Sequence, residues 1–350
     1  MSKVRIGFVG VGGMGQAAHL QNYMTVEDCE VVAIAEVKSE LCKKVAERYG
    51  IAKAYTDHVE MLKNEKLDGI VASQPFTRHG TLVPELLTAG IPVFTEKPLA
   101  GSIEMGQKIL SSLANSKSWY MVGYHKRSDP AVMYAKKVID ELKASNELGK
   151  LNYVRLLMPA GDWVANGFIR NLSSSDANPD LQWDPPATDM DKDTYDKYIG
   201  FVNYYIHQVN LMRHLMGEKY EVTFADPTGK LMITKSVSGI CGSLEMSPYQ
   251  TSIEWEESAL VAFEHGYVKI ELPAPLASNR PGKVSIYKDP GQGTIPMLYE
   301  PSLPWIHAMR QQAMNFVAAI KGEIEPLTTA SEAMEDLQIA RDYIRMLCGK

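Results

Sequence analysis

The chain has 350 residues, is 45% hydrophobic and 22% charged, and carries a formal net charge of −6. That length fits about two ordinary globular domains, and the acidic balance argues against a nucleic-acid partner or an anionic membrane surface. The four cysteines, Cys29, Cys42, Cys241 and Cys348, form no C-x-x-C, which points to reduced thiols in a cytoplasmic protein and to neither a disulfide framework nor a metal site.

The apolar run Val4 to Val9 predicts a buried strand and leaves no room ahead of it for a signal peptide. GVGGMG follows, with Gly10, Gly12 and Gly15 at the G-x-G-x-x-G spacing and a helix expected from near Met14. The first glycine permits a tight turn, the second lets the backbone approach a pyrophosphate, and the third packs helix on strand. The helix N-terminus then offers N–H groups and a positive dipole end to phosphate. Val31 to Ala35 reads as the next strand, and Glu36 closes it. That puts a carboxylate about 20 residues beyond the glycines, where one accepts a hydrogen bond from a ribose 2′-OH. The alternative is an ordinary glycine-rich turn beside a chance acid, which the strand before the glycines and the helix after them disfavour. Glu36 would repel a 2′-phosphate and Lys38 would soften that repulsion, so NAD is expected ahead of NADP.

Strand and helix signals go on alternating. Helices are expected over Ser39 to Tyr49, after Thr56, over Thr77 to Ala89 and over Ser102 to Asn115. The strands between and after them are expected near Ala52 to Tyr55, Gly69 to Ser73, Pro92 to Thr95 and Trp119 to Tyr124. Such alternation with short connections means a parallel, doubly wound sheet, whose ligands bind at the carboxyl ends of the strands. Ser73, Gln74, Glu96, Lys97, Tyr124 and His125 fall at those ends and are expected to line a crevice with the glycine loop. Lys97 is either a proton-transfer group, since lysine pKa values fall on burial or near positive charge, or a surface lysine paired with Glu96. For Pro98, sequence alone argues a trans peptide bond.

TEKPLA, Thr95 to Ala100, resembles the Glu-Lys-Pro signature of the Gfo/Idh/MocA oxidoreductases. SQPFTRHG, Ser73 to Gly80, resembles that family's Thr-Pro-Asn and following His, with Gln74 in place of the Thr. GYHKRSDPA, Gly123 to Ala131, resembles its entry into the second domain, and IKGEIEPLTTASEAMEDL its closing helices. The resemblance implies a Rossmann domain over residues 1–125, with an α+β substrate and oligomerisation domain over 126–350 built on a large, mainly antiparallel open sheet. It implies cofactor contacts from Gly10, Gly12, Gly13, Met14, Gly15, Glu36, Ser73, Gln74, Pro75, His79, Glu96 and Lys97. Substrate contacts are implied for Lys97, Tyr124, His125, Arg127, Asn203 and His207, and catalysis for Lys97 and His207.

In the second half, Asp129 to Leu142 predicts a helix and Leu151 to Met158 a strand. The stretch Pro159 to Thr194 is long for a loop, a length that marks functional or disordered segments, and its two tryptophans argue against disorder. Trp163 and Trp183 are candidates either for packing on a sugar ring or for anchoring the loop. Tyr195 to Met216 predicts one helix with Asn203, His207 and Asn210 on a single face. The resembled family has Asp-x-x-x-His here. Asn203 keeps the hydrogen-bonding shape of Asp without its charge, which moves acid–base work to Lys97 and His207. Apolar and alternating runs from Glu221 to Lys288 predict a meandering antiparallel sheet, and two helices, from about Ile306 and from Thr329, end the chain. No apolar run approaches the ~18 residues of a membrane span.

The function these residues and the resemblance imply is hydride transfer between nicotinamide and a secondary alcohol of a sugar, inositol or related polyol. The expected assembly is a cytoplasmic homodimer or homotetramer. Two alternatives share the fold: a glycosidase using tightly bound NAD for transient oxidation, and a non-catalytic binder of dinucleotide or sugar.

Overall fold

The computed structural model describes residues 2–177, 179–291 and 293–350. They form two compact units. The first comprises Met1–Tyr124, Asn166–Asp191 and Met309–Leu337; the second comprises His125–Ala165, Lys192–Ala308 and Gln338–Lys350.

The first unit begins with β1 (Val4–Val9) and a helix over 13–23, α1, whose residues Gly15–Leu20 are wound as a π-helix. It continues through β2 (Cys29–Ala35), α2 (Ser39–Tyr49), β3 (Lys53–Tyr55), α3 (His58–Asn64), β4 (Gly69–Ala72) and α4 (His79–Leu87). Then come β5 (Val93–Glu96), α5 (Ile103–Ala114) and β6 (Tyr120–Gly123). The strands pair in parallel in the order β3-β2-β1-β4-β5-β6, the doubly wound arrangement the alternation implied. β4, β5 and β6 are buried at every position, because helices cover both faces of such a sheet. An aromatic cluster anchors its core: Phe316 lies 5.5 Å from both Phe94 and Trp119, and Tyr23 packs edge-on to Phe8 at 5.3 Å. The strand order reverses between β1 and β4, and this is the switch point where such sheets bind ligands. One expectation is corrected here: the Lys97–Pro98 peptide bond is cis.

The second unit holds α6 (Pro130–Ser145), β7 (Leu151–Ala160), α7 (Lys192–Tyr204) and α8 (Ile206–Met216). Seven strands follow: β8 (Tyr220–Ala225), β9 (Leu231–Ser236), β10 (Cys241–Gln250), β11 (Glu257–Phe263), β12 (Gly266–Leu272), β13 (Lys283–Lys288) and β14 (Met297–Tyr299). Its sheet runs β14-β13-β12-β11-β7-β10-β9-β8. All neighbours are antiparallel except β7 and β10, so the mainly antiparallel second sheet is as expected. β11 alternates buried and half-buried residues along its whole length, the period-2 signature of a strand with one covered face. Gly242 lies within β10. A Cβ there would fall 2.3 Å from Thr234 Oγ1 and 2.6 Å from Met216 Cε, so glycine serves close packing inside β10.

The single helix expected over Tyr195 to Met216 is two helices, α7 and α8, parted at Tyr205. The Tyr205 N–H still bonds Phe201 O at 2.7 Å, but its carbonyl is shared by the N–H groups of Gln208 and Val209 at 3.0 and 3.2 Å. That tightened turn, with the Tyr205 hydroxyl tied to Ser247 Oγ, interrupts the register between Asn203 and His207. The chain ends with α9 (Ala308–Ile320) and α10 (Ala330–Leu347). No helix among the described residues is long and apolar enough to cross a membrane.

Candidate active site

The first unit carries the glycine loop at the end of β1. Gly10 has φ +92°, and a Cβ there would lie 2.2 Å from Gln74 Nε2 and 2.5 Å from Ser73 O. Only glycine fits both the backbone and the space. A Cβ on Gly15 would lie 2.6 Å from Gly10 O, which is the close helix–strand contact expected of the third glycine. Gly12 differs, since a Cβ there would meet nothing within 4 Å. Its bare backbone serves no packing within the protein, and it leaves open the approach a pyrophosphate needs.

Glu36 is buried behind this loop. Its Oε2 accepts from Val11 N at 2.9 Å and its Oε1 from Lys38 N at 3.1 Å. A carboxylate oxygen has two lone pairs, so the group braces the loop and keeps acceptor capacity for a ribose hydroxyl. The loop, the helix start and Glu36 therefore fit a dinucleotide.

Ser73 and Gln74 follow β4 against Gly10, and Gln74 Oε1 accepts from Arg78 Nη1 at 2.9 Å. Pro75 is exposed, whereas His79 is fully buried. The His79 ring reaches Gln74 O at 3.3 Å and the carbonyls of Pro98 and Leu99 at 3.2 Å. It thus ties the β4 loop to the cis-proline turn, and burial lowers its pKa. Glu96 ends β5 with its Oε1 2.6 Å from His19 Nε2, a partner absent from the sequence reading. Burial alone would raise the Glu96 pKa, but the His19 hydrogen bond and charge, with Lys97 adding, hold it below the usual range. Lys97 is half-buried beside it and donates its backbone N–H to Glu96 Oε2 at 3.3 Å. Tyr124 is buried just past β6.

The long segment Asn166–Asp191, expected only as a loop, is a strap held to the glycine loop and to the starts of α2 and α4 in this same unit. Asn171 Nδ2 donates to Gly13 O at 2.9 Å. Gln16 clamps Leu172, accepting from its N–H at 2.8 Å and donating to its carbonyl at 3.1 Å. Asp176 accepts from the N–H groups of Glu40 and Leu41, the first turn of α2. Asp184 accepts from Gly80 N and Thr81 Oγ1, both at 2.8 Å, at the start of α4. Trp183 is 55% exposed, which removes it as the anchor of this segment. Gln16, His19, Asp176 and Asp184 were invisible beforehand because each acts through a partner far away in the chain.

The second unit carries the other expected residues. His207 is buried in the first turn of α8, and its ring lies 4.3 Å from that of His125, edge to face. Arg127 is buried, and its Nε donates to Asn210 Oδ1 at 2.7 Å. Asn203 is exposed on α7, so the expected stripe is broken: Asn203 is at the surface while His207 and Asn210 are buried. Trp163 is half-buried. A charged group unforeseen from sequence lies next to His125. Lys126 and Glu257 form a buried ion pair, and Glu257 also accepts from Gln208 Nε2 at 2.7 Å and Trp255 Nε1 at 3.1 Å. Glu257 lines a cavity of about 570 Å³ together with Leu157, Asp162, Trp255, Leu272 and Arg280. None of the substrate residues expected from sequence lines it.

A doubly wound parallel sheet with this loop, helix start and acid defines a dinucleotide-binding fold. Residues 4–124 match the model of the Gfo/Idh/MocA oxidoreductase family, a NAD-binding Rossmann fold. The chain is 24% identical over 359 residues to an inositol 2-dehydrogenase of Rhizobium meliloti, spanning 99% of this chain and 98% of that one. To a myo-inositol 2-dehydrogenase of Thermotoga maritima it is 24% identical over 236 residues, spanning 67% of this chain and 60% of the relative. Among solved structures, an oxidoreductase domain protein from Kribbella flavida matches its fold with a TM-score of 0.76 at 16% identity, over 100% of this chain and 98% of that one.

Proposed function

We propose that this protein is a NAD-dependent dehydrogenase acting on a secondary alcohol of a sugar, inositol or related polyol. The observation that carries this reading is the similarity to an inositol 2-dehydrogenase along 99% of the chain. The proposal divides the labour between a cofactor domain over residues 1–125 and a substrate and oligomerisation domain over 126–350, in a cytoplasmic homodimer or homotetramer. Gly10 to Gly15, Glu36, Ser73, Gln74, Pro75, His79 and Glu96 form and brace the cofactor site.

When bound, NAD would supply the acceptor for the hydride of the carbinol carbon. Lys97 and His207 take the hydroxyl proton as that hydride departs and return it in the reverse direction. Asn203 hydrogen-bonds but cannot ionise, so the proton stays with the Lys97 and His207 pair. Tyr124, His125, Arg127 and Trp163 orient the polyol, whose several hydroxyls demand several polar partners.

The test is kinetic. Lys97→Ala and His207→Ala are expected each to lower turnover by about 10²–10⁴-fold, the usual contribution of a general acid–base group, while NAD binding by calorimetry persists. The double variant should lose less than the product of the single losses, because the two act as a unit. Asn203→Asp should be tolerated better than either. Near wild-type turnover in both alanine variants would overturn the assignment.

A further inference from the structure

The turn after β2 is where an adenosine ribose is read, by a carboxylate on its 2′-OH. A helix start in that position is ready to take a 2′-phosphate on its free N–H groups and positive dipole end. In this protein those groups are already used. Glu36 Oε1 accepts from Lys38 N at 3.1 Å. Asp176, carried by the strap, accepts from Glu40 N at 3.0 Å and from Leu41 N at 3.1 Å. Glu40 turns back to the strap, its Oε2 accepting from Ser175 N at 2.9 Å and from Ser175 Oγ at 2.8 Å. The strap is pinned here by Lys44 Nζ on Ser173 O at 3.1 Å and Arg48 Nη1 on Arg170 O at 2.7 Å. Two of the cations on α2 therefore point their charge at strap carbonyls.

We propose that Asp176 is a specificity-determining residue that excludes NADP, acting with Glu36 from a segment more than a hundred positions further along the chain. The inference rests on the dinucleotide reading of the glycine loop. Asp176 removes the two N–H donors a 2′-phosphate would use, and it adds a negative charge where that phosphate would bring more. Glu40 adds another. Hydrogen bonds keep both ionised at neutral pH. Ser174 lowers the Asp176 pKa first of all, helped by the α2 amides, and Lys44 and Ser175 lower that of Glu40 to about 2. NAD carries a neutral 2′-OH at this point and meets no such penalty.

The experiment is calorimetric titration of the full chain with NAD and with NADP, for the wild type, Asp176→Asn and Asp176→Ser. Asn keeps an acceptor oxygen for the α2 amides without the charge, and Ser is itself a good helix cap. Removing one carboxylate near a phosphate is expected to tighten NADP binding by about tenfold at low salt. NAD binding should change by less than about threefold. Thermal melts verify that each variant is folded. An unchanged NADP-to-NAD ratio in a folded variant, or equal weakening of both cofactors, would overturn the proposal, as would a wild type that binds NADP as tightly as NAD. A wild type that binds neither dinucleotide would instead overturn the cofactor reading beneath it.

Discussion

Gly10 and Gly12 sit two residues apart and are required for different reasons. At Gly10 the backbone is left-handed and a Cβ would collide with Gln74 and Ser73, whereas at Gly12 a Cβ meets no protein atom. Gly10→Ala is therefore expected to cost stability, of the order of 1–3 kcal/mol for a strained backbone position. Gly12→Ala should melt like the wild type yet lose NAD affinity by calorimetry. Equal losses of stability in both variants would contradict this division. Asp129 shows the opposite case, a residue whose environment and not its spacing sets its behaviour. Burial pushes its carboxyl up to about 6, although Ala131 N and Gly282 N both donate to it. A carboxyl with a folded pKa above its unfolded value of about 3.9 binds its proton more tightly in the native state. Its contribution is therefore complete below that value and is lost as pH rises through about 6. Asp129→Asn keeps the acceptor oxygen and cannot ionise. Relative to the wild type it should gain stability, by up to roughly 3 kcal/mol, as pH goes from about 4 to about 7. Denaturant unfolding at the two ends of that range measures it, and a difference that does not change with pH would refute it.

At the scale of elements, what was legible followed local periodicity. β1, the glycine turn and α2 are written in neighbouring residues, so their order and parallel pairing could be read directly. The same holds for the Ser102 cap, which accepts from Met105 N in the structure. The break at Tyr205 was hidden because Tyr195 to Met216 has an unbroken helical pattern, and the tie to Ser247 that accompanies the break comes from β10. The strap was hidden for the same reason. Its contacts with Gly13, Gln16, Glu40 and Gly80 join residues more than a hundred positions apart, and no local pattern encodes them. In α4 the strap does a job the helix's own residues do not: no side chain caps it from the preceding Arg78, and Asp184 supplies the acceptor instead. Asp184→Ala should lower stability by about 1–2 kcal/mol, the usual cost of a lost cap. A chemical denaturation curve with an unchanged midpoint would show that water replaces the carboxylate without loss.

At the scale of the whole molecule, the large sheet of the second unit leaves apolar side chains uncovered at its edges. Met297, Leu298 and Tyr299 of the edge strand β14 are 60%, 59% and 38% exposed, and Phe224 on β8 at the other edge is 47% exposed. Edge strands with exposed apolar residues are association surfaces unless something covers them, and a second copy of the chain is the simplest cover. Light scattering at micromolar concentration is expected to show a dimer or tetramer, and Leu298→Lys to shift it toward monomer. Monomer alone in the wild type would contradict this.

The most direct test of the central claim follows the transferred hydrogen itself. The protein is incubated with NAD and a panel of inositols, sugars and glycosides deuterated at their carbinol carbons, and the nicotinamide is analysed by mass spectrometry. The account predicts reduced nicotinamide carrying deuterium, paired with a ketone product, for at least one polyol. Deuterium transfer to the nicotinamide from none of the panel, or cleavage of a glycoside with NAD unchanged at the end, would contradict it.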